Sequence, residues 1–150
     1  MKRACRSCVV LACTFLCLVG LSGCGAKKGV ELKGSVVLPK NVTFGDGASA
    51  IVVLIPEDKA GSEANAKMTS KDTNLVFRRN DAEGVLPGKY KVVVKLNSYP
   101  GGPEAAKNAE TFKQFNKAYD QERTKMTCEV TAEPNQTITI DLNTGKVTKN

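Results

Sequence analysis

The alternation of apolar and polar residues limits what this 150-residue chain can fold into more than any other feature. The alternating segments are residues 30–38, 89–97, 126–132 and 137–142. In the clearest of them, every second residue from Tyr90 to Leu96 is apolar, and the residues between are polar except Val93. This period of two is typical of β-strands that bury one face and expose the other.

Two further segments are predicted to be strands. Residues 50–55 (AIVVLI) are apolar on both faces, which indicates a central strand, and residues 75–78 form a shorter one. Turn motifs separate the strands; they are Gly45-Asp46-Gly47, Asp81-Ala82-Glu83-Gly84, Pro87-Gly88 and Asn143-Thr144-Gly145. Short strands at this spacing predict an all-β fold, an antiparallel β-sandwich of about seven strands.

Residues 103–119 (PEAAKNAETFKQFNKAY) depart from this pattern and predict one short helix or helical loop. Pro103 and Glu104 are residue types that favour the first turn of a helix. The side chains at helical spacing are Asn108, Phe112, Phe115 and Tyr119. We interpret this stripe as a cover for the core rather than a binding face.

The N-terminus has the form of a secretory signal. Lys2, Arg3 and Arg6 precede an apolar run of 13 residues, 9–21. A helix of that length rises about 20 Å, which is too short for the ~30 Å hydrocarbon core of a bilayer. The alternative, a short buried helix, leaves the basic start unexplained.

Leu21-Ser22-Gly23-Cys24 follows this run and resembles the lipobox of bacterial lipoproteins at all four positions. The resemblance implies cleavage before Cys24 and lipid attachment to its sulfur. Residues 1–23 are then a removed signal peptide, residues 24–29 are the lipidated cysteine and a short tether, and residues 30–150 form one domain. The expected location is the extracytoplasmic side of a membrane. Because Gly25 is not the aspartate associated with inner-membrane retention, the outer membrane is favoured.

Processing changes the cysteine and charge inventories. Of six cysteines, only Cys128 remains a free thiol, so no intramolecular disulfide can form. Its place between Met126 and Val130 predicts a buried, inert thiol; the alternative is an exposed thiol that pairs between chains. Loss of the three signal-peptide cations reduces the net charge from +7 to about +4. The remaining cations are scattered, which disfavours nucleic acid and suits an anionic lipid surface.

The order of motifs resembles a known family. It comprises a Gly-containing first strand (residues 32–36), a Gly-Asp-Gly turn, an apolar strand that ends at Pro56, an Asp-x-x-Gly turn and residues 86–92 (LPGKYKV). This order is similar to the carboxypeptidase regulatory-like and transthyretin-like domains of small bacterial lipoproteins. The resemblance implies a Greek-key β-sandwich with Tyr90 in the core and Pro87-Gly88 as the turn before its strand.

The residue types restrict the chemistry. The chain has no histidine, which excludes Ser-His-Asp and Cys-His catalysis, and one thiol cannot form a zinc or iron–sulfur site. No phosphate-binding glycine motif is found. No enzyme activity, cofactor or metal is therefore expected. Asp81 and Glu83 are weak candidates for cation binding, against a simple solvated turn. Tyr99 is a weak candidate for ligand binding, against a residue that covers the sandwich edge.

These observations leave two classes of function. The first is a membrane-anchored, non-catalytic structural or protein-interaction module of the cell envelope, with an envelope protein as its partner. The alternative is an envelope module that binds a small ligand or glycan. The first predicts an exposed strand edge or apolar patch, and the second predicts a concave pocket with convergent polar groups.

Overall fold

The computed structural model describes residues 28–40, 42, 44–58, 61–80, 82–98 and 103–150, with side chains of the helix described from residue 109. The described part contains nine strands and one helix. In chain order they are β1 (Leu32–Val37), β2 (Ser49–Pro56), β3 (Ala64–Thr69), β4 (Leu75–Val76), β5 (Arg78–Arg79), β6 (Gly88–Asn97), α1 (Pro103–Ala118), β7 (Thr127–Val130), β8 (Gln136–Asp141) and β9 (Lys146–Lys149).

The strands form two sheets. The four-stranded sheet has the order β4-β1-β8-β9, and the five-stranded sheet has the order β5-β3-β2-β6-β7. The expectation of purely antiparallel pairing is wrong in one place, because β1 pairs with β8 in parallel. Parallel neighbours need a long connection, and here all of the five-stranded sheet lies between the two strands along the chain.

The predicted alternation is confirmed in β6, where Tyr90, Val92, Val94 and Leu96 are all buried. They share one hydrophobic core with residues of the other sheet, such as Ile140 of β8. Two sheets that bury their inner faces against each other are consistent with a β-sandwich.

The central position of β2 is also confirmed. Along its length β2 pairs with β6 on one side, and most of it pairs with β3 on the other. Its inner residues Ala50, Val52 and Leu54 are buried, and the residues between them are half-buried on the outer face. An apolar run on both faces therefore marks the middle strand of the larger sheet.

The short strand predicted at residues 75–78 is divided between the sheets. β4 pairs with β1, β5 pairs with β3, and Phe77 lies between them with 1% of its surface exposed. The backbone N–H of Phe77 donates to the Leu32 carbonyl oxygen at 3.0 Å. A buried phenylalanine thus marks the point at which the chain crosses from one sheet to the other.

The helix is confirmed. Phe112 and Phe115 are buried, and the side chain of Asn116 bonds to both backbone groups of Leu96, at 2.7 Å from its N–H and 2.9 Å from its carbonyl oxygen. The helix therefore satisfies the edge of β6 beyond the point where its pairing with β7 ends. Among the described residues, no helix is both long and apolar enough to span a membrane.

Candidate functional site

Most of the site residues predicted from sequence lie outside the described residues. This applies to Cys24, Asp81 and Tyr99. Glu83 is described and is exposed in the turn that leads to Val85. Among the described residues, no group of three or more Cys, Asp or Glu side chains is placed to hold a metal ion.

The start of the described chain is fixed firmly to this turn. Val30 and Val85 exchange two backbone hydrogen bonds, of 2.8 and 2.9 Å. A Cβ atom at Gly29 would lie 2.6 Å from the backbone carbon of Gly84, whose φ of +74° itself favours glycine. The fold therefore begins at Gly29, one residue earlier than the boundary expected from sequence. Only residues 25–28 separate it from Cys24, a span of about 14 Å when fully extended.

A cavity of about 410 Å³ lies beside this entry point. Its lining residues are Lys28, Pro56, Asp58, Gly61, Leu86, Pro87, Gly88, Lys89 and Tyr90. The Tyr90 hydroxyl donates to the Leu86 carbonyl oxygen at 2.7 Å, and burial raises the pKa of this phenol. The phenol thus stays protonated and anchors the turn before β6.

A second concave site lies at the side of the molecule where the edge strands β7 and β9 face each other. It is a cleft of about 480 Å³ lined by Glu57, Lys89, Thr127, Cys128, Glu129, Ile138, Val147 and Lys149. Cys128, Ile138 and Val147 supply apolar surface, and the four charged residues are exposed around them. An apolar floor with converging polar groups is the usual form of a small-ligand site.

Lys149 fixes one end of this lateral cleft. Its Nζ atom donates to the Thr131 hydroxyl at 3.0 Å and forms an ion pair with Glu133 Oε2 at 3.2 Å. The bond to this ammonium group is the main reason that the pKa of Glu133 is lowered. The contact joins β9 to the loop after β7, and so ties together the two sheets beside the cleft.

The prediction of a fully buried Cys128 is wrong in degree. Met126 and Val130 are buried as expected, but Cys128 between them is half-buried and lines the lateral cleft. The reason is that β7 is an edge strand, so no further strand covers this side of the inner face. Desolvation still raises the pKa of the thiol to about 12, which favours the protonated and unreactive form.

We expect the native protein to label slowly with a water-soluble maleimide at Cys128, and quickly in denaturant. The nucleophile is the thiolate, which is scarce near neutral pH when the pKa is about 12. Mass spectrometry of the peptide that contains Cys128 measures the rate, and a Cys128→Ser variant gives the background. Equal rates in native and denaturing buffer, or a reducible dimer on a gel, would contradict an inert thiol.

Exposed edges and apolar patches are limited within the described residues. β4 and β5 have two residues each, and β9 begins and ends with lysine, a residue that discourages pairing with another chain. The large hydrophobic residues that are exposed are Val37 and Val76, at 45% and 43%. The edges described here are therefore short, and the lateral cleft is the better-formed concave feature.

Sequence reasoning missed the charged residues of the lateral cleft. Glu57, Lys89, Glu129 and Lys149 come from four separate segments, and none belongs to a motif. Only the pairing of β6 with β7 and the approach of β9 bring them together. Comparisons with family models, curated proteins and solved structures find no match to this chain.

Proposed function

We propose that this chain is a lipoprotein anchored through acylated Cys24 to the extracytoplasmic side of a membrane, the outer membrane rather than the inner. Its domain acts as a non-catalytic structural or protein-interaction module of the cell envelope. The observation that carries the proposal is the junction of Gly29 with Gly84 and Val85, which starts the fold five residues after Cys24. Such a short tether holds the domain close to the bilayer.

We further propose that the two-sheet fold is a Greek-key, transthyretin-like sandwich. The bond from the Tyr90 hydroxyl to the Leu86 carbonyl supports this, because it resembles the tyrosine corner of Greek-key sandwiches. The chain also passes between the sheets from β1 to β2 and from β7 to β8, as expected of such connections.

A non-catalytic role is supported by the chemistry of the described side chains. The chain has no histidine to act as a general base near neutral pH. Burial keeps the Cys128 thiol protonated, and Glu133 and Asp141, whose pKa values are lowered, are shifted by local bonds to Lys149 and Asn143. These shifts stabilise exposed turns and edges rather than a reactive group.

The second candidate function is an envelope module that binds a small ligand or glycan, and the lateral cleft favours it. Its volume of about 480 Å³ falls in the range of small-molecule sites. Lys89 and Lys149 would bind acidic groups of a ligand, and Glu57 and Glu129 would bind hydroxyl or amino groups. An envelope protein as partner would instead use the surface outside this cleft.

Replacement of Cys24 with alanine is expected to abolish lipid attachment and to leave the protein uncleaved or released from the membrane. The mass of the N-terminal peptide and membrane fractionation measure these two effects. Cys128→Ala is the matched control, since it removes a thiol and leaves the lipid site intact. A mature wild-type protein with an unmodified Cys24 would contradict the proposal.

A further inference from the structure

The outer face of the five-stranded sheet combines apolar and basic side chains. Because residues paired across a sheet share a face, the register places Ile51 of β2 between Lys67 of β3 and Lys95 of β6. The next outward row contains Val53 and Val93. These three apolar residues are half-buried, whereas Lys67 and Lys95 are exposed.

Lys91 lies one row further along β6, opposite Ile55. Its Nζ atom donates to the Gln121 carbonyl oxygen at 2.9 Å and keeps its positive charge at the sheet surface. We use the term basic face for the outward side chains Ile51, Val53, Lys67, Lys91, Val93 and Lys95. Three cations thus surround an apolar centre that strand pairing holds in place.

The two sheets differ in their outer faces. On the four-stranded sheet the outward residues include Ser35, Thr137 and Thr139, and the first and last of these hydroxyls lie 3.5 Å apart. Lys146 there lies opposite Asp141. Cations grouped around an apolar centre therefore distinguish the five-stranded sheet from the hydroxyl-rich sheet behind it.

The chain enters the fold at one end of the basic face. Lys28 and Lys89 line the same cavity, and Lys89 points to the same side of β6 as Lys91. Acidic side chains also gather at this end, where Glu129 lies opposite Lys89 and Glu57 is nearby. The four residues between Cys24 and Gly29 extend about 14 Å, and β6 is about 33 Å long. A bilayer that holds Cys24 is therefore within reach of the whole face.

We propose that the basic face rests on an anionic lipid leaflet, so that the tethered domain lies on its larger sheet. The inference rests on the proposed lipid anchor. Lysine ammonium groups attract acidic headgroups, and the apolar centre suits the boundary between headgroups and acyl chains. The attraction acts over about a Debye length, roughly 10 Å at 0.1 M salt, which the short tether brings within range.

The test uses the protein purified from membranes and reconstituted on phosphatidylcholine vesicles, with or without phosphatidylglycerol. Flotation with neutral vesicles reports the anchor alone. Acetylation of single lysines, measured by mass spectrometry, reports the basic face. We expect Lys67 and Lys95 to react about tenfold more slowly on the anionic vesicles in low salt, and at equal rates on both vesicles in high salt.

Two charge-reversed variants complete the test. In Lys67→Glu/Lys95→Glu, we expect Lys91 to react equally on both kinds of vesicle. Lys71→Glu/Lys146→Glu changes the net charge equally away from the face, and we expect it to keep the protection of the wild type. Thermal melting confirms that both variants fold.

The outcomes separate the two proposals. Wild-type protein that floats with both vesicles but shows no lipid-dependent protection overturns the basic face and leaves the anchor intact. Protein that fails to float with neutral vesicles overturns the anchor. The face is then supported if flotation with anionic vesicles is lost in high salt and in Lys67→Glu/Lys95→Glu, and overturned if no such flotation occurs.

Discussion

Replacement of Tyr90 with alanine is expected to lower the free energy of unfolding by about 3–5 kcal/mol, as for other large core aromatics. Tyr90 is 2% exposed and lies in the shared core of the two sheets. Truncation also removes the 2.7 Å bond from its hydroxyl to the Leu86 carbonyl, which fixes the turn into β6. Urea unfolding followed by circular dichroism measures the loss.

Tyr90→Phe separates the two contributions. It keeps the ring and removes the hydrogen bond, so we expect a loss of about 1 kcal/mol. Tyr99→Ala serves as the sequence-based control and is expected to leave stability unchanged, although Tyr99 lies outside the described residues. Equal unfolding midpoints for Tyr90→Ala and the wild type would show that this tyrosine is not a core residue.

Phe77→Ala is expected to have a similarly large effect, about 3–5 kcal/mol. Phe77 is 1% exposed and lies where the chain leaves β4 in one sheet and enters β5 in the other. Removing its ring leaves a void between strands of two residues each, which have little pairing of their own to resist collapse. Thermal and urea unfolding both measure the change.

Val76→Ala is the matched control, because it truncates the adjacent residue on the solvent side. Val76 is 43% exposed, so we expect a change within about 0.5 kcal/mol. Equal losses for Phe77→Ala and Val76→Ala would indicate a single strand at residues 75–78, as the sequence alone predicts, rather than a crossing between sheets.

The strands that sequence predicted well have a strong pattern of their own. In β6, four apolar residues alternate across the ten-residue strand, and β2 is apolar on both faces. The helix is similarly legible from Pro103 and from the spacing of Phe112 and Phe115. Local preference and burial agree in these elements, so neighbouring residues suffice to predict them.

The strands that sequence missed have little pattern. β3 (ANAKMT) buries Ala64, Ala66 and Met68, and its alanines give a weak β signal. β9 has four residues, and only Val147 is apolar. Both form because a longer strand offers them hydrogen-bonding partners, β2 for β3 and β8 for β9. Pairing of this kind depends on residues far along the chain.

The sequence by itself determined the lipobox resemblance at Cys24, the exclusion of histidine chemistry and the identity of the main strands, because these depend on residue type and local spacing. Tertiary structure decided which sheet each strand joins, including the parallel pairing of β1 with β8 and the division at Phe77. It also decided that Cys128 is half-buried, that Gly29 belongs to the fold, and that lysines of β3 and β6 flank Ile51. The physical reason is that alternation specifies one buried face for each strand, whereas the neighbours of that strand are chosen by contacts between distant segments.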